Sequence, residues 1–392
     1  MSFSEFQLHP DLLRGVDALG FQAPTAIQRD AIPPAMAGRD VLACAMTGSG
    51  KTAAFLLPIL QRLIGLPRGT TRALIIAPTR ELAAQIDEHR GQLARHTRVG
   101  GAAIFGGVGM GPQESALRRG VDILVATPGR LLDHMRYPYT KLDGLQVLVL
   151  DEADRMLDMG FLPDIQRILK QLPARRQTLL LSATMPGPIA ALAKQILHDP
   201  VAIQIERPSA PAVGITHTVY QVPQELKSAL LVELLKQPGT RSVLAFTRTK
   251  HRANRLADYL ARHGVKADRI HGNRSQAQRT QALAGFKDGR FQVLVATDIA
   301  ARGIDIDALT LVSPDEEGDL RGIERAVGSR FTRAQLPGFD YTKRPADKLE
   351  IPLAERIAQI RARKAEDRQR ARANAERRAA HGARPAQLTR GR

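Results

Sequence analysis

Short apolar runs alternate along this chain with longer stretches of helical period. Val41–Ala45, Ala73–Ala77, Ile123–Ala126, Val147–Leu150 and Thr178–Leu181 have strand length, and Val243–Phe246 and Val293–Ala296 follow later. Alternation of this kind predicts an α/β fold, with parallel sheets covered by helices on both faces. Arg207-Pro208-Ser209-Ala210-Pro211-Ala212 breaks the rhythm with two prolines among small residues and reads as a linker between domains. The expected organisation is a first domain over residues 1–206, a linker over 207–214, a second domain over 215–350 and a tail over 351–392. A length of 392 residues suits two cores, because single cores stop growing near ~250 residues.

The tail differs in composition. Residues 353–392 hold twelve Lys or Arg against four Asp or Glu, and apolar positions fade after Ile360. Its residues favour helix locally but supply no apolar stripe to dock one, so a mobile basic segment that attracts RNA non-specifically is expected. The whole chain carries 57 Lys and Arg against 39 Asp and Glu, a net charge of +18. Such a surplus concentrates polyanions and favours a nucleic-acid partner over an acidic small molecule. No apolar stretch approaches the ~20 residues of a membrane helix, and Met1-Ser2-Phe3-Ser4-Glu5 lacks the pattern of a signal peptide. A cytoplasmic monomer without a membrane partner is expected. The single cysteine, Cys44, excludes an internal disulfide and reads as a packed core thiol on a strand. The ten histidines show no zinc-binding spacing.

Two motifs carry chemistry. Ala45-Met46-Thr47-Gly48-Ser49-Gly50-Lys51-Thr52 joins a predicted strand to a predicted helix, so its backbone N–H groups and the helix N-terminus point at phosphates. Lys51 then meets the β and γ phosphates of a nucleotide, and the Thr52 hydroxyl ligates Mg²⁺. Ala45 stands where the general pattern has glycine, keeping a small side chain. Asp151-Glu152-Ala153-Asp154 follows the apolar run Val147–Leu150. At the end of a buried strand Asp151 can hold Mg²⁺, and Glu152 can orient and deprotonate an attacking water. An acidic pair after a strand is often only a favourable charge at a helix N-terminus; pairing with the phosphate loop is what points to ATP.

With several further segments in fixed order, these residues resemble the DEAD-box RNA helicases, most closely the bacterial RhlE-like group. The resemblance implies two RecA-like domains in tandem, and it covers about residues 3–312. Gly20-Phe21-Gln22-Ala23-Pro24-Thr25-Ala26-Ile27-Gln28 looks like the adenine-reading segment, with Gln28 on the base and Phe3 stacked on it. Pro78-Thr79-Arg80-Glu81-Leu82, Gly106-Gly107 and Thr127-Pro128-Gly129-Arg130 resemble the segments that grip the RNA backbone from the first domain. Their hydroxyls, backbone N–H groups and guanidinium groups suit phosphate and 2′-hydroxyl contacts without base reading. Ser182-Ala183-Thr184 resembles the motif coupling hydrolysis to strand separation. In the second domain Leu244–Thr249, with Arg248, and Gln276-Ala277-Gln278-Arg279 resemble RNA-contacting motifs. Ala296–Ile306 implies Thr297 and Asp298 on RNA and Asp305 on the ATP ribose.

The resemblance also exposes a gap. Family members continue through a strand, a helix and a His-Arg-x-Gly-Arg-x-Gly-Arg segment before an acidic stretch like Ser313-Pro314-Asp315-Glu316-Glu317. Here Thr310-Leu311-Val312 runs straight into Ser313, and no such arginine pattern occurs in the chain. The comparison implies a deletion of several tens of residues fused at Leu311-Val312. Arginines that stabilise charge on a transferring phosphoryl group are worth ~10³ to 10⁵ in rate, so poor hydrolysis is expected, together with an exposed sheet edge or apolar surface. A nucleotide-responsive RNA clamp without catalysis, or an inactive deletion variant, is the alternative, and a DNA-translocating motor a third reading that the adenine and Thr-Pro-Gly-Arg segments do not favour.

Overall fold

The computed structural model describes residues 2–46, 48–205, 217–240, 242–297 and 308–343. The expected linker and tail, and Thr47, Asp298 and Asp305, lie outside the described residues. The chain divides into two compact units, broadly residues 1–215 and 216–392.

In the first unit seven strands form one sheet: β1 (Val41–Cys44), β2 (Ala73–Ile76), β3 (Gly101–Ile104), β4 (Ile123–Ala126), β5 (Val147–Leu150), β6 (Gln177–Ser182) and β7 (Val201–Gln204). Their order is β3-β4-β2-β5-β6-β1-β7, and every pairing is parallel. Successive strand residues point to opposite faces, which splits the buried runs between two cores. Ile75, Val125, Val149 and Leu179 enter one core with α1 (Pro10–Ala18), α2 (Ala26–Met36), α3 (Lys51–Leu63) and α4 (Arg80–Leu93). Ile76, Leu124, Leu148 and Leu180 enter the other, covered by α5 (Met110–Arg119), α6 (Pro128–Met135), α7 (Ala153–Asp158), α8 (Leu162–Leu169) and α9 (Gly187–Ile196). Burial on both faces explains why β2, β4 and β5 are apolar throughout. Cys44 departs from the expected core thiol: it is half-buried at the strand end, its Sγ 3.5 Å from the Ala183 carbonyl.

The second unit has β8 (His217–Gln221), α10 (Lys227–Leu235), β9 (Val243–Thr247), α11 (Lys250–Arg262), β10 (Ala267–Ile270), α12 (Gln276–Lys287), β11 (Val293–Thr297), β12 (Ala308–Val312), α13 (Glu317–Val327) and β13 (Thr332–Ala334). Among the described residues its strands do not join into one sheet: β10-β11-β9 and β12-β8-β13 are separate three-stranded parallel sheets. Helix α10 serves both. Val232 and Leu235 pack in the cluster containing Val293 and Val295, whereas Leu230 and Leu234 pack with Tyr220 and Leu311. A helix apolar on more than one side belongs between two layers.

Candidate functional site

Loops at the carboxyl ends of parallel strands are where open α/β sheets bind ligands. Strand order sorts the loops of the first unit into two groups. The contiguous strands β3, β4 and β2 lead into Gly106-Gly107, Thr127–Arg130 and Pro78–Arg80, the RNA-type segments. The contiguous strands β5, β6 and β1 lead into Asp151-Glu152, Ser182–Thr184 and the phosphate loop. Segments scattered over more than a hundred residues thus become neighbours by type along one sheet edge.

A cleft on the nucleotide side is lined by Phe21, Gln28, Gly48, Gly50, Lys51, Thr52, Asp151 and Glu152, together with Leu82 and His89. Gly48 and Gly50 adopt φ of +83° and +99°, a region that costs other residues strain. At Gly50 a Cβ would also lie 2.6 Å from the Gln28 amide nitrogen. Lys51 is buried and donates from Nζ to the Ala45 carbonyl at 2.7 Å. Ser49 donates to the Met46 carbonyl at 2.7 Å, closing the loop.

Gln28 is more occupied than a free base reader. Its Oε1 accepts from the Thr25 N–H at 3.0 Å and its Nε2 donates to the Gly50 carbonyl at 3.1 Å. An amide still keeps one N–H and one lone pair, the number a bidentate contact to adenine needs. Phe3 sits one layer further back than expected. It is buried in the core, stacked on Phe21 at 6.1 Å and edge-on to Phe6, so Phe21 is the ring that reaches the cleft.

Asp151 is only 2% exposed, and burial pushes its carboxyl up to about 6 against the pull of Lys51. A carboxylate this deep is stabilised by a cation. Glu152 takes the left-handed conformation at φ 51°, and Arg155 Nη1 holds its Oε2 at 3.0 Å. Asp154 is the residue the motif reading left without a role. Its Oδ2 accepts from the Thr184 N–H at 3.0 Å and hydroxyl at 2.7 Å, while its own N–H donates to Ser182 Oγ at 3.1 Å. Burial works against its charge, yet these hydroxyl and backbone donors outweigh it and hold the carboxyl below its usual range. Ser182 Oγ donates onward to the Thr184 carbonyl at 2.7 Å, a locking role rather than a nucleophilic one.

On the other side Thr79 caps α4, accepting from the Leu82 N–H at 3.2 Å, with Pro78 buried before it. The Arg80 guanidinium lies across Gly106 and Gly107: a Cβ on Gly107, whose φ is +83°, would fall 1.9 Å from it. Thr127 and Pro128 are buried at the start of α6, and Arg130 donates from both Nη atoms to the Val108 carbonyl at 3.1 and 3.2 Å. In the second unit Arg248 follows β9, Thr297 ends β11, and Gln276 and Arg279 open α12 after β10, again at the carboxyl ends of adjacent strands.

The DEAD/DEAH box helicase family matches residues 25–192, and the helicase conserved C-terminal domain matches residues 226–314. The chain is 40% identical over 372 residues to the ATP-dependent RNA helicase CshA of Listeria monocytogenes, covering 86% of this chain and 71% of that protein. It is 45% identical over 310 residues to the ATP-dependent RNA helicase SrmB of Escherichia coli, covering 78% and 70%. The structure of S. cerevisiae Dbp5 bound to RNA and ADP BeF3 aligns with a TM-score of 0.76 at 27% identity, over 85% of this chain and 95% of that one. These matches run through both RecA-like units rather than stopping at the phosphate loop, and the chain therefore belongs to the DEAD-box ATP-dependent RNA helicases, enzymes that hydrolyse ATP.

Proposed function

We propose that this chain, an RhlE-like member, grips the RNA backbone without reading sequence, couples that grip to ATP binding, opens short duplexes, and hydrolyses ATP poorly. The observation that carries the reading is the partition of one sheet edge into an RNA side and a nucleotide side. On the nucleotide side Lys51 and the N–H groups of the phosphate loop bind the phosphates, Phe21 and Gln28 face the adenine, and Glu152, steadied by Arg155, takes a proton from the attacking water at its carboxylate. Thr52 and Asp151 fit a divalent cation, since a hydroxyl and a deeply buried carboxylate are hard oxygen donors on one cleft. Bound there, Mg²⁺ supplies charge neutralisation at the phosphates.

On the RNA side Thr79, Arg80, Gly106, Gly107, Thr127 and Arg130 offer donors to phosphate and 2′-hydroxyl oxygen, joined by Arg248, Gln276, Arg279 and Thr297 of the second domain, while the Asp298 carboxylate accepts from a 2′-hydroxyl. Poor hydrolysis follows from the missing arginine segment after Val312. The separation of the second unit's strands into two sheets among the described residues, with Phe246 and Leu309 each 44% exposed, supports a shortened domain. The reading is tested by RNA affinity with and without Mg-ATP in the parent chain and in Lys51→Ala. Nucleotide should tighten RNA binding by tenfold or more in the parent only; equal RNA affinity with and without ATP in the parent defeats it.

A further inference from the structure

Between two of the three RNA-type loops of the first unit, Gly106-Gly107 and Thr127–Arg130, runs a polar connection that neither loop motif contains. Gln113 on α5 donates from Nε2 to the Phe105 carbonyl at 3.1 Å, immediately before Gly106-Gly107, and approaches the Gly109 carbonyl at 3.5 Å. Its Oε1 lies 3.4 Å from Nε2 of His134, on α6 behind Thr127–Arg130. His134 Nδ1 in turn lies 3.0 Å from the Tyr139 hydroxyl. Both middle members are buried, Gln113 at 7% and His134 at 0% exposure.

The directions of these bonds fit together in one way. Because Gln113 donates to a carbonyl, its oxygen faces the imidazole and must accept, so His134 carries its proton on Nε2. Nδ1 is then the acceptor for the tyrosine O–H. Burial, then the Arg130 guanidinium, push His134 below the ordinary imidazole value, which keeps the ring neutral as this order requires. Tyr139 is fixed from outside by Tyr137 stacked at 5.3 Å and by the Arg118 guanidinium 4.7 Å from its ring centre. Arg130 closes the opposite end through its two bonds to the Val108 carbonyl.

A buried polar chain costs desolvation that apolar side chains of the same volume would avoid, so its return is geometry. Here that geometry is the distance between the Gly106-Gly107 turn and the start of α6. We infer that Gln113 and His134 are positioning residues that hold the two backbone-gripping loops at the spacing of an RNA strand. This rests on the assignment of those loops to RNA.

The test uses the full chain with a fluorescein-labelled ten-nucleotide oligouridine RNA, magnesium and a non-hydrolysable ATP analogue. Gln113→Met and His134→Phe keep volume and lose the polar chain, and both should weaken RNA binding about tenfold, the upper end for the loss of a neutral hydrogen bond. Binding of a fluorescent ADP without RNA should stay within about twofold in both. His134→Gln, whose amide can accept from Tyr139 and donate to Gln113 as the neutral imidazole does, should restore RNA affinity. Tyr139→Phe, the mildest change, should weaken it about threefold. RNA affinity within twofold of the parent in Gln113→Met and His134→Phe, whatever happens to the melting temperature, overturns the proposal. Equal loss in His134→Gln and His134→Phe does so as well. A parent chain without RNA affinity would instead bring down the RNA assignment, and this inference with it.

Discussion

Asp154 holds Thr184 twice, accepting from its backbone N–H at 3.0 Å and from its hydroxyl at 2.7 Å. The two residues are thirty positions apart and belong to motifs on adjacent strands, β5 and β6. The helix that starts beside the candidate base Glu152 is thereby clamped to the turn after β6. A displacement of the acidic loop on nucleotide binding has to move that turn as well.

Thr184→Val keeps the backbone bond and removes the hydroxyl bond. Thr184 is exposed while Asp154 is buried, so the loss should be about 1 kcal/mol, read from urea unfolding of the first unit. The informative readout is coupling: the factor by which an ATP analogue tightens RNA binding should shrink, while ATP-analogue affinity without RNA holds. An unchanged factor would make the clamp a matter of stability alone.

Gly50→Ala meets two obstacles at once. Its φ of +99° is strained for any side chain, and the new methyl would press on the Gln28 amide at 2.6 Å and the Thr25 hydroxyl at 2.8 Å. A cost of about 1–3 kcal/mol is expected from the backbone alone. Nucleotide affinity should fall further than stability predicts, because Gln28 and the phosphate loop are joined through the Gly50 carbonyl. Titration with fluorescent ADP beside thermal melting separates the two losses.

Much of this was legible along the chain, and the reason is burial. Strands β2, β4 and β5 are covered on both faces and read as unbroken apolar runs. Strands β3, Gly101-Ala102-Ala103-Ile104, and β10, Ala267-Asp268-Arg269-Ile270, lie at sheet edges, where small or charged residues are tolerated and the run disappears. The site divides the same way. Phosphate loop, acidic pair and RNA-type turns are local in sequence and could be read directly. The layering of Phe3 behind Phe21, the tie from Gln28 to Gly50, and the clamp of Asp154 on Thr184 depend on which strands become neighbours, and no local spacing encodes that.

Glu316 gives the second unit a pH signature. Burial opposes its charge, but the Lys227 ammonium and the N–H and hydroxyl of Ser313 outweigh burial and hold the carboxyl at about 2. A carboxyl depressed in the folded state binds fewer protons than in the unfolded chain, so its contribution is present above the unfolded value of 4.5 and is lost as pH falls toward 2. Glu316→Gln should lower the melting temperature of the second unit at pH 7, and its deficit against the parent should close between pH 4.5 and pH 2. A deficit constant over that range would mean that Glu316 acts through packing alone.

Inserting a strand, a helix and an arginine segment of the family's pattern at Leu311-Val312 separates two effects of the proposed shortening. Among the described residues β9 pairs only with β11 and β12 only with β8, and Phe246 and Leu309 on these edges are each 44% exposed. An inserted strand and helix can cover those edges, which should reduce aggregation and the binding of a hydrophobic dye. The same insertion carrying its arginines should raise RNA-dependent single-turnover hydrolysis by ~10³ to 10⁵. A version with those arginines changed to methionine should repair solubility and leave the rate low, because it completes the sheet without supplying charge to the transition state. If the methionine version hydrolyses ATP as fast as the arginine version, domain integrity rather than arginine limits this chain; if the unmodified chain already matches both, the segment is dispensable for the chemistry.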